Sequence, residues 1–378
     1  MALGGPPRDL CRYHERTRRR GVNPLVYWVV RGVLQPLLHV YFRVRQVGRG
    51  HVPKHGPVLL ASNHRSFLDP FVIGIWIRRP IYFVAKQEIF SNRLQAWVLN
   101  CLGAFPVRRG EADPEAARTA RELLDRGEVV VYFPEGTRIH SGSLGAPRSG
   151  VGRMALETGA PVVPIAVVGS DRARRGWRIR PVRVRLRFGR PLTFPRVESP
   201  SARLAREVTA RIWPCVELQW EWLGGLPPLR KAVVVGSDSS ATELAGLLVR
   251  AGLDVRMSQT PDLELAGADL VCFALPPREL DAALSRLGGR IGERSAVLVA
   301  AGSLPRPLPL DTRARAVATL SPGGDERSLV LACDDADFVA QFSKLLAGTG
   351  MEVETARDSR PRPVGGRFRD RVLAGSGG

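Results

Sequence analysis

The sequence predicts an α/β protein of two parallel-sheet domains, and three observations carry that prediction. Short apolar runs of strand length alternate with amphipathic stretches of helix length from Pro57 to Trp222. The same alternation starts again at Lys231. Between the two series stands Gly224-Gly225-Leu226-Pro227-Pro228, which breaks both helix and strand and reads as a linker. A chain of 378 residues, 44% of them apolar, has enough material for two buried cores. The expected plan is a basic arm over 1–22, a first domain over 23–223, the linker over 224–230, a second domain over 231–357 and a flexible tail over 358–378.

Charge separates the two domains. Residues 1–225 hold 37 Lys+Arg against 17 Asp+Glu, whereas residues 226–378 hold 19 of each, so the first part carries the whole net charge of +20. Such a field attracts anionic lipid headgroups, phosphorylated substrates or nucleic acid without choosing among them. The five cysteines, Cys11, Cys101, Cys215, Cys272 and Cys333, show no paired spacing, so reduced thiols and no metal site are expected. Residues 1–21 are polar and arginine-rich, which predicts neither a signal peptide nor a spanning helix there.

In chain order, six arginines within residues 8–20 precede Asn23-Pro24 and an apolar segment over 25–42. That segment contains Trp28 and Tyr41 but also Arg31, Pro36 and His39, so it predicts an interfacial helix, extending over 23–48, or an amphipathic helix on the protein's own core. Pro57-Val58-Leu59-Leu60 predicts a buried strand, and Ser66 with Asp69 predicts a helix start. His64 therefore falls on a strand-to-helix turn. An Asp five residues after a His across such a turn can hold one ring nitrogen and leave the other free as a base. Taken alone, the pair also fits a hydrogen-bonded loop histidine beside a first-turn acid.

Strands follow at 80–85, 129–133, 160–168 and 182–188, and helices at 71–77, 92–99, 114–126, 151–157 and 201–222, the last kinked or restarted at Pro214. Trp213, Trp220 and Trp222 are expected to pack inward or, as the alternative, to take an interfacial role. Arg108 and Arg109 follow a short apolar strand, placed to grip a phosphate. Pro134-Glu135-Gly136-Thr137-Arg138 ends the strand at 129–133, with a glycine that lets backbone approach a ligand and an arginine to meet an anion. The alternation in Val182-Arg183-Val184-Arg185-Leu186-Arg187-Phe188 predicts an edge strand with one wet face, serving aggregation control or an anionic membrane.

Four blocks thus stand in order: Asn63-His64 with Asp69, residues 103–108, Phe133-Pro134-Glu135-Gly136-Thr137-Arg138, and Val162-Val163-Pro164. Together they closely resemble the glycerolipid acyltransferase family typified by 1-acyl-glycerol-3-phosphate acyltransferase, over roughly residues 20–225. The resemblance implies that His64 removes the acceptor hydroxyl proton, that Asp69 orients it, and that the alkoxide attacks an acyl thioester with no acyl-enzyme. It also implies acceptor-binding positions at Asn63, Arg108, Glu135, Gly136, Thr137 and Arg138, with the arginines on the phosphate. No cofactor or metal is implied, the donor being acyl-CoA or an acyl-carrier protein. No G-x-S-x-G elbow competes.

The second domain resembles the nucleotide-binding domain of NAD-dependent glycerol-3-phosphate dehydrogenase, a Rossmann-like doubly wound fold. Its fingerprint, however, reads Gly236-Ser237-Asp238-Ser239-Ser240-Ala241, with an acid where backbone must approach a pyrophosphate. The acid for the ribose is missing after Met257, Ala301-Gly302 replaces a lysine-glycine pair, and no helical catalytic domain follows, so hydride transfer is not expected. The expected activity is acyl transfer to 1-acyl-glycerol-3-phosphate at the cytoplasmic face of the cell membrane, peripheral or monotopic. The expected partners are the thioester, the lysophosphatidate-like acceptor and the anionic membrane surface. No specific nucleic acid is expected, and oligomeric state stays open. The rival readings are another lysophospholipid or lipid hydroxyl as acceptor, or a non-catalytic basic lipid-binding scaffold.

Overall fold

The structure, a computed structural model, describes residues 8–108, 113–139, 142–175, 178–258, 265, 267–287, 290–292, 294–300, 314–322 and 328–355. Arg109, Gln259, Ala301, Gly302 and the tail expected over 358–378 lie outside the described residues. The chain divides into two compact units, the first ending at Gly225 and the second running on from Leu226.

The first unit opens with α1 (Arg8–Arg20), α2 (Pro24–Tyr41) and β1 (Arg45–Val47). Then come β2 (Val58–Ser62), α3 (Asp69–Gly74), β3 (Ile81–Lys86), α4 (Arg93–Cys101), β4 (Ala104–Val107), α5 (Pro114–Asp125), β5 (Val129–Tyr132), α6 (Gly150–Thr158) and β6 (Val162–Val168). A short ribbon, β7 (Arg174–Arg175) with β8 (Arg178–Ile179), leads to β9 (Arg185–Phe188) and α7 (Ala202–Trp222). Asn23, Asn92, Asp113 and Ser201 each accept a backbone N–H from the following turn, which starts α2, α4, α5 and α7.

Seven strands form one sheet in the order β1-β9-β6-β2-β5-β3-β4, parallel throughout except where β6 meets β9. All five residues of β2 are buried. Val58 and Leu60 enter a core with Leu38, Val72 and Ile73, whereas Leu59 enters a second core with Leu123, Met154 and Val216. Burial on both faces is the reason that such strands read as unbroken apolar runs.

Several expectations change here. Residues 8–20 are not a free arm but a docked helix: Tyr13, His14 and Thr17 are buried, His14 Nδ1 lies 2.9 Å from Thr119 Oγ1, and Arg18 pairs with Glu115. The helix expected over 23–48 stops at Tyr41, because Arg43 turns the chain with φ 42° into β1. That strand takes the sheet edge, so β9 is an inner strand and not the edge strand expected. The helix expected over 71–77 is only α3, ending at Gly74. Helix α7 does not restart at Pro214 but continues through it, with Trp213, Val216 and Trp220 buried along it. Trp222 stays 58% exposed, with the Arg187 guanidinium 4.2 Å over its ring. Among the described residues, no helix is long and apolar enough to cross a membrane.

The second unit runs β10 (Lys231–Val235), α8 (Ser239–Arg250), β11 (Asp254–Ser258), β12 (Leu270–Phe273), α9 (Pro277–Leu287), β13 (Ala296–Ala300), β14 (Ala316–Pro322), β15 (Ser328–Ala332), α10 (Ala336–Ala347) and β16 (Glu352–Thr355). Its sheet order is β11-β10-β12-β13-β14-β15-β16. Helices α8 and α10 cover one face and α9 the other, which is the doubly wound plan. The β14–β15 pair is antiparallel, a departure from the all-parallel expectation. The sequence patterns do not single out β14, whose alternation of small and branched apolar residues gives little polar contrast. Leu229 is buried in this unit's core and Gln341 Nε2 donates to Pro227 O at 2.8 Å, so the second half of the linker segment is packed.

Candidate active site

β2 lies between β5 and β6, and all three point their carboxyl ends the same way. In open α/β sheets that edge is where ligands bind. The β2 end delivers Asn63 and His64, the β5 end Phe133 and Glu135, and the β6 end Ser170.

Asp69, in the first turn of α3, has no exposed surface and is fully engaged. Its Oδ2 accepts the Arg65 N–H at 2.7 Å and the Ser66 N–H at 2.8 Å, and lies 2.9 Å from His64 Nδ1. Its Oδ1 accepts the Ser170 hydroxyl at 2.6 Å. A carboxylate can only accept, so His64 carries its proton on Nδ1 and presents Nε2 as the lone-pair nitrogen. The Phe133 ring stacks on the imidazole at 4.1 Å and fixes its plane. Nε2 has no hydrogen-bond partner among the described residues.

Glu135 faces inward and not toward a ligand. Its Oε2 accepts the His64 N–H at 2.6 Å and its Oε1 the Gly145 N–H at 2.7 Å. Burial pushes this carboxyl up to about 7, against the pull of those two N–H groups and of the Arg65 guanidinium. The Ile139 N–H donates to His64 O at 2.9 Å and Arg65 Nη1 donates to Ile139 O at 3.0 Å, clasping the two loops together. The Arg65 guanidinium also lies 4.5 Å over the Trp220 ring. Asn63 is engaged as well: its amide donates to Val167 O at 3.0 Å and accepts the Val167 N–H at 2.8 Å, tying β2 to β6.

Gly136 has φ +68°, and a Cβ there would stand 2.9 Å from Arg148 Nε, so the loop needs glycine and brings Arg148 against it. Thr137 is exposed. Arg138 is half-buried and makes no ion pair among the described residues. Arg108 stands farther off: β4 is three strands from β2, about 14 Å at the usual strand spacing. Its Nε lies 3.7 Å from Asp113 Oδ2. The structure therefore joins His64, Asp69 and Glu135 in one hydrogen-bonded cluster, ties Asn63 beside it to Val167, and leaves Thr137, Arg138 and Arg108 outside it. Sequence reasoning missed Ser170, Arg65 and Arg148 as members of this region and gave Phe133, named within its block, no role. Ser170 lies 101 residues from Asp69, and no local pattern marks it.

Arg31 of α2 reaches the same region from behind. Its guanidinium donates to Gly74 O at 2.7 Å and Ile75 O at 2.8 Å, and also to Ile77 O. It thereby adds donors to carbonyls at the C-terminal end of the helix that begins with Asp69.

Residues 43–168 match the acyltransferase family model. This stretch is an acyltransferase-family domain. The chain is 30% identical over 138 residues to a chloroplastic 1-acyl-sn-glycerol-3-phosphate acyltransferase of Arabidopsis thaliana, a match covering 36% of this chain and 38% of that protein. It is 28% identical over 169 residues to the 1-acyl-sn-glycerol-3-phosphate acyltransferase of Bacillus subtilis, covering 44% of this chain and 82% of that one. A solved 1-acyl-sn-glycerophosphate acyltransferase from Thermotoga maritima shares 22% identity at a TM-score of 0.40, covering 55% of this chain and 94% of that one. The acyltransferase domain contains every residue of the cluster except Ser170, which follows it by two positions.

The second unit resembles a solved NADP oxidoreductase from Bacteroides fragilis at 15% identity and a TM-score of 0.30, over 33% of this chain and 59% of that one. Its residues do not fit a dinucleotide. Asp238 caps α8 with its own carboxylate, accepting the Ala241 N–H at 2.8 Å, so an internal anion already holds a helix-start donor that a pyrophosphate would use. Among the described residues, no three His, Cys, Asp or Glu side chains converge on a metal position.

Proposed function

We propose that the protein transfers a fatty acyl group from an acyl thioester, carried by coenzyme A or a carrier protein, to the free hydroxyl of 1-acyl-glycerol-3-phosphate. The observation that carries this reading is the 2.9 Å contact of His64 Nδ1 with an Asp69 carboxylate that three further donors hold in place. His64 Nε2 takes the acceptor's hydroxyl proton as its oxygen attacks the thioester carbonyl. The C–S bond then breaks, and the imidazolium returns the proton to the departing thiolate. Asp69 stabilises the imidazolium between those steps. Arg138 and Arg148, beside the loop that Glu135 anchors, supply cations for the acceptor phosphate, with Arg108 reaching from the far strand. Asn63 and Glu135 act by holding the catalytic turn, Thr137 by lining the open side.

The acyl chains of both substrates require a lipid surface. The apolar stripe of α2, with Leu25 75%, Val33 64% and Val40 75% exposed, supports peripheral attachment to a membrane, on this reading at the cytoplasmic face of the cell membrane. Replacing His64 by Ala tests the reading. Thiol release from an acyl thioester in the presence of lysophosphatidate should fall by about 10²–10⁴-fold with the circular dichroism spectrum unchanged. Turnover within a few-fold of wild type would reject the mechanism, and equal or better wild-type rates with other lysolipids would reject the acceptor.

A further inference from the structure

A second element stands at the end of the α2 stripe. Leu25, Val29, Val33, Leu37 and Val40 recur at helical spacing, and each is more than half exposed. The stripe runs the whole length of an 18-residue helix. At its C-terminal end the Tyr41 hydroxyl donates to Ile179 O at 2.9 Å, which fixes the β7–β8 ribbon beside the helix. Ile179 is itself 51% exposed and so extends the apolar surface past the end of the helix. The ribbon is short and held at its base by the Arg180 N–H, which donates to Ala173 O at 2.8 Å.

Arginines stand near this exposed isoleucine. Arg174 is in register with Ile179, Arg178 and Arg180 flank it in sequence, and Arg43 leaves the end of α2; all four arginines are exposed. The ribbon's cations gain from an anionic plane at the level of the apolar stripe.

We propose that the β7–β8 ribbon, with Ile179 at its apolar centre and Arg174, Arg178 and Arg180 around it, is a dedicated contact for the anionic headgroups of a bilayer, so that docking selects acidic membrane. The proposal rests on the membrane reading of α2 given above and adds the lipid selectivity to it. A bilayer fits better than a nucleic acid, because the arginines border a continuous apolar stripe that a phosphate backbone leaves unburied. Arginine also forms bidentate contacts with phosphate oxygens while its stem lies on acyl chains.

Vesicle flotation of the full chain tests this, using phosphatidylcholine vesicles with and without phosphatidylglycerol. A variant carrying Arg174→Gln, Arg178→Gln and Arg180→Gln should lose about five-fold in partition to the anionic vesicles per charge, or about a hundred-fold in all. Its binding to pure phosphatidylcholine should not change, nor should its turnover of short-chain, water-soluble thioester and acceptor. Unreduced preference for the anionic vesicles in this variant would overturn the proposal, as would tighter wild-type binding to a short DNA duplex than to those vesicles. The Val33→Glu variant separates the two layers. Loss of binding to both vesicle types supports the stripe as the anchor on which the ribbon selects. Full retention of binding by Val33→Glu overturns the α2 reading and, with it, the ribbon's role as a partner of that stripe.

Discussion

Replacing Asp69 by Asn isolates the charge of the buried carboxylate from its geometry. An asparagine carbonyl oxygen at the Oδ2 position can still accept from Arg65 N, Ser66 N and His64 Nδ1, now at 2.7, 2.8 and 2.9 Å from the carboxylate. The amide nitrogen then stands at Oδ1 and donates to Ser170 Oγ, which can accept as readily as donate. The hydrogen-bond set, and so the fold, survives. The lost quantity is the attraction between a carboxylate and the imidazolium that forms when His64 takes a proton. For unit charges about 4 Å apart at an effective dielectric of about 20, that attraction is about 4 kcal/mol. If it is realised only after proton transfer, its loss slows the chemical step by about 10³-fold, with little change in KM. Single-turnover measurement of thiol release, alongside urea unfolding of both proteins, reads the two effects separately. A variant rate within about ten-fold of wild type at equal stability would show that the carboxylate's charge does not serve catalysis, and the reasoning would fall.

Ser170→Ala removes the 2.6 Å hydrogen bond to Asp69 Oδ1 and leaves a buried carboxylate oxygen short of a donor. Unfolding free energy should drop by about 1–3 kcal/mol. The catalytic constant should fall with KM unchanged, and Ser170→Thr should restore it; loss of stability with an unaltered rate would reduce Ser170 to a structural role. Glu135→Gln should change how stability depends on pH, read by urea unfolding of variant and wild type at pH 5 and pH 8. The carboxyl is raised from 4.5 to about 7 in the fold, so the folded state holds its proton more tightly than the unfolded chain. Its contribution is therefore fully present below about 4.5 and is lost as pH rises to about 7, an effect of about 3 kcal/mol. The Gln variant should lack that decline, and parallel pH curves for the two proteins would contradict the assignment.

Local chemistry made the centre of the site legible in the chain itself. His64 and Asp69 are five residues apart across one strand-to-helix turn, so their meeting depends on a single local conformation. The strands at β2, β5 and β6 are legible for a similar reason: burial on both faces writes itself as an unbroken apolar run. In the second unit Asp238 stands where the fingerprint has a glycine, and the structure adds that this acid caps its own helix.

What tertiary structure decided was which distant residues complete each element. Glu135 reads in sequence as a loop acid near an arginine, yet sheet order puts its oxygens on the His64 and Gly145 amides and makes it a clasp inside the fold. Ser170 reaches Asp69 only because β6 lies beside β2. β9 became an inner strand because residues 45–47, only three long and two of them polar, took the sheet edge. Periodicity and turn chemistry record whether a residue is buried and how the chain bends beside it. Strand order is set by how whole elements cover one another's apolar faces, and no short stretch of sequence carries that information.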